Sequence, residues 1–168
     1  MPRYTIAVLV NNGFGVLNRV TSMFRRRQFN INALSVSETE STDYSRITVI
    51  FEGEKSKKDQ LINQLYKLPD IVSVKELDVT TIVSSELMLI KMQNEPAVRD
   101  DIITAANAFD AQTVDYSRDA IVFCLTAQSQ KIDEFIDLMR DYTILEICRT
   151  GSISLEKGAE TIRKVTNL

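Results

Sequence analysis

The junction between residues 4 and 18 constrains this chain most. Tyr4-Thr5-Ile6-Ala7-Val8-Leu9-Val10 reads as a strand, a short run dominated by apolar residues. It stops at the polar turn Asn11-Asn12-Gly13-Phe14-Gly15. A helical pattern starts at once, with Val16, Leu17, Val20, Met23 and Phe24 at spacings of one, three and four. A strand that feeds straight into a helix aims free backbone N–H groups past the strand end. Glycine at that point lets a small molecule come close to the backbone. The segment implies binding of a small anion-bearing molecule rather than bond-making chemistry.

The rest of the first half follows a simple order. Ile31–Glu38 and Tyr44–Glu52 alternate apolar and polar residues and are joined by a short polar turn, which predicts an antiparallel pair. Ser56-Lys57-Lys58-Asp59 has the form of a helix N-cap with an acidic residue three positions on. Leu61, Ile62, Leu65 and Leu68 then recur at helical period, and Pro69-Asp70 closes the helix. Ile71–Leu77 is a further strand. Strand, helix, strand, strand, helix, strand is the split βαβ, or ferredoxin-like, order: an antiparallel sheet with both helices on one face.

The second half repeats that order without repeating the letters. Glu86–Met92 is a strand, Glu95–Phe109 a helix, Ala111–Tyr116 and Ala120–Thr126 two strands. Ser129 is placed to cap a helix carrying Ile132, Phe135, Ile136 and Met139, and Ile144–Arg149 is the last strand of the repeat. Ser152–Leu155 adds a short edge strand, and the polar tail from Lys157 is expected to fray. The fold class is therefore α+β, with two ferredoxin-like domains, 1–78 and 79–168. Ile31–Val36 carries few charges, which suits an edge strand that pairs with a second copy.

The chemical inventory is poor. The chain has no histidine, so Ser-His-Asp and Cys-His nucleophile systems and the usual catalytic zinc ligands are excluded. Cys124 and Cys148 lie in apolar runs, lack Cys-x-x-Cys spacing, and are expected to be buried thiols. A net charge of −3 argues against nucleic acid. No apolar run approaches the ~20 residues that span a bilayer, and the N-terminus lacks signal-peptide order, so the expected location is cytoplasmic.

Gly13-Phe14-Gly15-Val16-Leu17-Asn18 is close to the dinucleotide fingerprint, with Glu38 about where a ribose-binding acid would stand. Asn18 replaces the third glycine, however, and the next two strands form a hairpin rather than a parallel continuation. Gly-Phe-Gly also suggests an RNA-binding sheet, but here it lies in a turn rather than on central strands. Arg25-Arg26-Arg27 fits a solvated helix C-terminus whose cations suit the helix dipole; docking to an acidic surface is the alternative. Asn12 and Asn30, one after each of the first two elements, each carry a donor and an acceptor and so can meet a carboxylate or an ammonium.

Asn12-Gly13-Phe14-Gly15-Val16-Leu17-Asn18-Arg19-Val20, Phe24–Ile31, Leu34-Ser35-Val36 and Ser45-Arg46-Ile47-Thr48 closely resemble an ACT domain. Together with Gln64–Leu68, Val72–Leu77, Glu86–Lys91 and Arg149-Thr150-Gly151, they resemble the small regulatory subunits of acetolactate synthase over nearly the whole chain.

The resemblance implies a non-catalytic regulatory subunit. Its ACT domain would bind valine, with leucine and isoleucine as alternatives, at a homodimer interface. Its C-terminal domain would contact and activate a large catalytic subunit holding thiamine diphosphate, Mg²⁺ and FAD. This chain would hold no cofactor or metal. The implied effector site is Asn12, Gly13, Phe14, Gly15 and Val16 of one subunit facing Asn30 and Ile31 of the other. Gln28 stands where many relatives have glycine, which bears on how the first helix ends, and Phe14 stands where they have proline or serine. A stand-alone ACT-type sensor acting on another enzyme or on a transcription factor is the competing expectation.

Overall fold

A computed structural model describes residues 2–163. They form two compact units, one of residues 2–83 with 153–163 and the other of Ser84–Ser152.

The first unit runs β1 (Arg3–Asn11), α1 (Val16–Arg26), β2 (Ile31–Glu38), β3 (Tyr44–Glu52), α2 (Lys55–Leu65) and β4 (Ile71–Leu77). Its sheet has the order β2-β3-β1-β4, antiparallel throughout. Ile6, Val8 and Val10 of β1 and Ile47, Val49 and Phe51 of β3 pack with Val16, Val20, Met23 and Phe24 of α1 and with Leu61 and Leu65 of α2. Both helices therefore cover the same face, because only alternate strand residues can reach them. Each such side chain contributes about 1.5–3 kcal/mol by leaving water.

The opposite face of this sheet is also buried, at Ala7, Leu9, Thr48, Ile50, Ser73 and Leu77. The C-terminal segment supplies part of the cover. Ile162 packs against Ala7, Leu77 and Ile82. Ser73 Oγ donates to the Ile162 carbonyl at 3.0 Å, and Lys75 pairs with Glu156 at 2.6 Å. The tail from Lys157 was expected to fray. Its described part, to Arg163, is instead held by this face, whose apolar residues need cover that the helices cannot give.

The second unit contains β5 (Ile82–Gln93), α3 (Arg99–Ala108), β6 (Gln112–Tyr116), β7 (Ala120–Ala127), α4 (Ser129–Met139) and β8 (Ile144–Arg149). The strand order β6-β7-β5-β8 repeats that of the first sheet, and the expected short strand near the end of the chain is β9 (Ile153–Glu156), which lies with the first unit. Met88, Ile90 and Met92 meet Ile102 and Ala106 of α3 and Ile132, Phe135 and Met139 of α4.

Several expectations shift. β5 begins at Ile82 rather than Glu86, so the units divide after Val83 rather than after Asp78, and residues 153–163 lie with the first unit. Residues 96–98 form a turn, delaying α3 to Arg99. Pro96 disfavours helical backbone at Glu95. Neither expected serine cap forms: Glu54 and Gln128 are the N-caps, and Ser129 donates instead to Glu86 at 2.6 Å. Cys124 is only partly buried and Cys148 is exposed. Both pair across from Leu89, on the face turned away from α3 and α4, while Met88 and Ile90 fill the core. No described helix is long and apolar enough to cross a membrane.

Candidate functional site

The β1–α1 junction is held from both sides. The Asn11 N–H donates to the Asp70 carbonyl at 2.9 Å and the Asn12 N–H to the Asp43 carbonyl at 2.7 Å. The Asn12 side chain is engaged at each end: Nδ2 donates to Glu38 Oε1 at 3.2 Å and to the Thr42 carbonyl at 3.0 Å, and Oδ1 accepts from Ser45 Oγ at 3.1 Å. Asn12 thus fixes the loop against the β2–β3 turn. Glu38, a ribose-binding acid under the dinucleotide reading, is one of its acceptors.

Gly15 is the N-cap of α1, with φ +78°, a left-handed conformation that side chains other than glycine's resist. A Cβ there would stand 3.3 Å from Arg19 Nη1. No side chain caps this helix. Among the described residues, the N–H groups of Phe14, Gly15, Leu17 and Asn18 take no protein acceptor, while that of Val16 makes a long 3.4 Å bond to the Gly13 carbonyl. The result is an exposed, uncapped helix start, the arrangement that favours an anion.

Around it stand one cation and two apolar side chains. Arg19 Nε donates to Asp70 Oδ2 at 2.6 Å, and Nη2 reaches the Phe14 carbonyl at 3.4 Å. The hydrogen bond to Asp70 raises the Arg19 pKa further above its ordinary value. Phe14 is fully exposed and Leu17 is 43% exposed.

Asn30 and Ile31 do not join this group within one chain. β1 and β2 both pair antiparallel with β3, Asn11 opposite Tyr44 and Ile31 opposite Phe51. Those contacts lie seven residues apart on β3, or roughly 23 Å at strand rise. Asn30 is exposed and Ile31 half-buried, at the far end of an edge strand.

Residues 6–73 match the model described as the AHAS small subunit-like ACT domain, and residues 85–158 match that of the small subunit of acetolactate synthase. A probable acetolactate synthase small subunit of Archaeoglobus fulgidus is 44% identical over 93% of this chain and 98% of its own length. The acetolactate synthase small subunit of Bacillus subtilis is 40% identical over 92% of this chain and 91% of its own. This chain belongs to the acetolactate synthase small-subunit family.

A crystal structure of the acetolactate synthase small subunit from Thermotoga maritima agrees, with a TM-score of 0.86 and 28% identity, covering 95% of this chain and all of that one. As a small subunit, the chain is the regulatory, non-catalytic partner of a catalytic subunit. Among its described residues, no group of three or more acidic or cysteine side chains is placed to hold a metal.

The fold of this chain also shows what its sequence concealed. Val16 is core, 5% exposed, and offers the loop only backbone. Leu17 and Asn18, the next two residues, hold open N–H groups, as do Phe14 and Gly15 before it. The Arg19–Asp70 pair lies beside Gly15, linking residues 51 positions apart. Only the sequence spacing of Gly15 and Arg19, one helical turn, hinted at it.

Proposed function

We propose that this small subunit activates its catalytic partner and confers feedback inhibition by a branched-chain amino acid, valine first, with leucine and isoleucine as alternatives. The uncapped start of α1 supports this reading most. Its open N–H groups at Gly15, Leu17 and Asn18 suit an α-carboxylate, and Leu17 offers aliphatic surface beside them.

The other wall comes from a second copy. β2 is an edge strand with Val36 43% exposed. Two β2 strands paired antiparallel about a twofold axis set the Ile31 end of one against the Glu38 end of the other. Glu38 is already bonded to Asn12. The partner subunit's Asn30 and the partner subunit's Ile31 are thereby brought toward the loop Asn12, Gly13, Phe14, Gly15 and Val16. The effector then bridges two protomers, and its occupancy biases the dimer. A coupling of ~1–3 kcal/mol is enough for useful control.

The unit Ser84–Ser152 is assigned the contact with the large subunit. Thiamine diphosphate, Mg²⁺ and FAD belong to that large subunit, and the pair works in the cytoplasm as its biosynthetic relatives suggest. Reconstitution with the cognate large subunit tests the whole reading. Acetolactate formation is expected to rise on mixing and to fall when valine is added. No stimulation at saturating small subunit would favour a stand-alone sensor instead.

A further inference from the structure

Within the first unit, a cavity of about 450 Å³ lies between the outward face of the sheet and residues 155–163. Leu9 and Ile162 give it apolar surface, and Arg46, Arg163, Glu40, Glu156 and Glu160 give it charge. Its size lies within the usual range for small-molecule sites.

Arg46 is its unusual member. Burial pushes the guanidinium pKa down, and the charge of Glu156 only partly opposes that. Nη2 donates to the Ser154 carbonyl at 2.7 Å. Glu156 itself is engaged by Lys75 at 2.6 Å, the same ammonium stands farther off, 3.9 Å from Glu160, and Glu40 is engaged by Arg163 at 2.9 Å. A guanidinium carries five N–H donors. A partly desolvated one with a single carbonyl acceptor calls for an anion, and a carboxylate fits its fork. A simple anion would face the carboxylate of Glu160 across the same space, whereas an ammonium would be welcome there. A zwitterion satisfies both.

We propose that this cavity is a second amino-acid site, separate from the loop at Gly15. The ligand carboxylate lies on Arg46, its ammonium lies by Glu160, and a short aliphatic side chain lies on Leu9 and Ile162. Glu38 takes no part: its carboxylate accepts from Asn12 on the helix-facing side of the sheet, where Ser45, its partner on β3, also lies.

The test is calorimetric titration of the full chain with valine, leucine and isoleucine. In Gly15→Asp, which disables the loop, one of these is expected to keep binding at one molecule per chain. Arg46→Gln in that background is expected to weaken it about tenfold or more, the loss of one charge-assisted contact. Thr161→Trp fills the cavity from the exposed segment, leaves Arg46 and Ser154 in place, and is expected to do the same. Acetate and ethylamine, each with half the charges, are expected to bind more weakly than the amino acid. Absence of residual binding at millimolar ligand would overturn the proposal, as would residual binding untouched by both cavity variants, or acetate binding as well as the amino acid. If the loop reading alone were wrong, Gly15→Asp would leave the heats unchanged while the cavity variants still removed their share.

Discussion

Asn94 does in the second unit what Asn12 does in the first. Each follows the first strand of its unit and donates its backbone N–H to an aspartate carbonyl, of Asp119 at 3.0 Å and of Asp43 at 2.7 Å. Each Nδ2 donates to a hairpin-turn carbonyl, of Ser117 at 2.6 Å and of Thr42 at 3.0 Å. Each Oδ1 accepts, from Arg99 Nε at 2.6 Å and from Ser45 Oγ at 3.1 Å. What differs is the turn that follows: Gly13-Phe14-Gly15 in one unit and Glu95-Pro96-Ala97 in the other. The asparagine is common architecture, and the glycines are what distinguish the first unit.

Asn12→Ala and Asn94→Ala should therefore both destabilise, Asn94→Ala by about 1–3 kcal/mol, the cost of leaving buried partners unmet, and Asn12→Ala by about 0.5–1.5 kcal/mol. Asn94 is nearly buried and Asn12 exposed, so the larger loss is expected at Asn94. Urea unfolding checks the order.

Gln28 sits at φ +56° just past the end of α1. Its N–H bonds to the Arg25 carbonyl, and that of Phe29 to the Phe24 carbonyl, closing the helix with the left-handed C-terminal motif that glycine normally serves. Gln28→Gly should raise stability by about 1 kcal/mol. Thermal unfolding of the variant measures it.

Glu86 is 3% exposed and is gripped by Arg149, Nε to Oε1 at 2.6 Å and Nη2 to Oε2 at 3.0 Å, with Ser129 on the same carboxylate. Arg149→Met strands a buried charge and should cost about 3 kcal/mol. Glu86→Leu with Arg149→Met should cost less than Arg149→Met alone. Denaturant titration of the set compares them.

Asp78 accepts from the Thr80 N–H and hydroxyl, both at 2.8 Å, and these bonds hold its carboxyl below the usual range. A depressed carboxylate stabilises the fold above its unfolded pKa, near 4, and loses that contribution as pH falls through its lower folded value. Asp78→Ala should flatten the acid side of the stability profile and lower the plateau at neutral pH. Thermal unfolding between pH 2 and 7 would show this.

Much of this was legible in the sequence. Period-two and helical spacing marked the strands and helices because each element must turn one face to a core. The left-handed need at Gln28 was readable only through the resemblance, which implies glycine at that position. The cover on the outward sheet face was less so. Ala7 and Leu9 lie between core residues in an unbroken apolar run, which signals burial on both sides. The covering segment, though, is locally polar and reveals its place only through Ile162, Ser154 and Glu156. The helix starts misled because serine beside an acid suits a cap in isolation, whereas Ser129 found a better acceptor in Glu86. The Arg19–Asp70 pair spans too much sequence for local patterns to show.

Gly15 carries the central claim, and valine inhibition of the reconstituted Gly15→Asp enzyme tests it most directly. A β-carbon at φ +78° crowds Arg19, and the new carboxylate repels that of the effector. Inhibition should disappear while activation of the catalytic subunit persists. Inhibition at an unchanged valine concentration would contradict the assignment of the effector to this helix start.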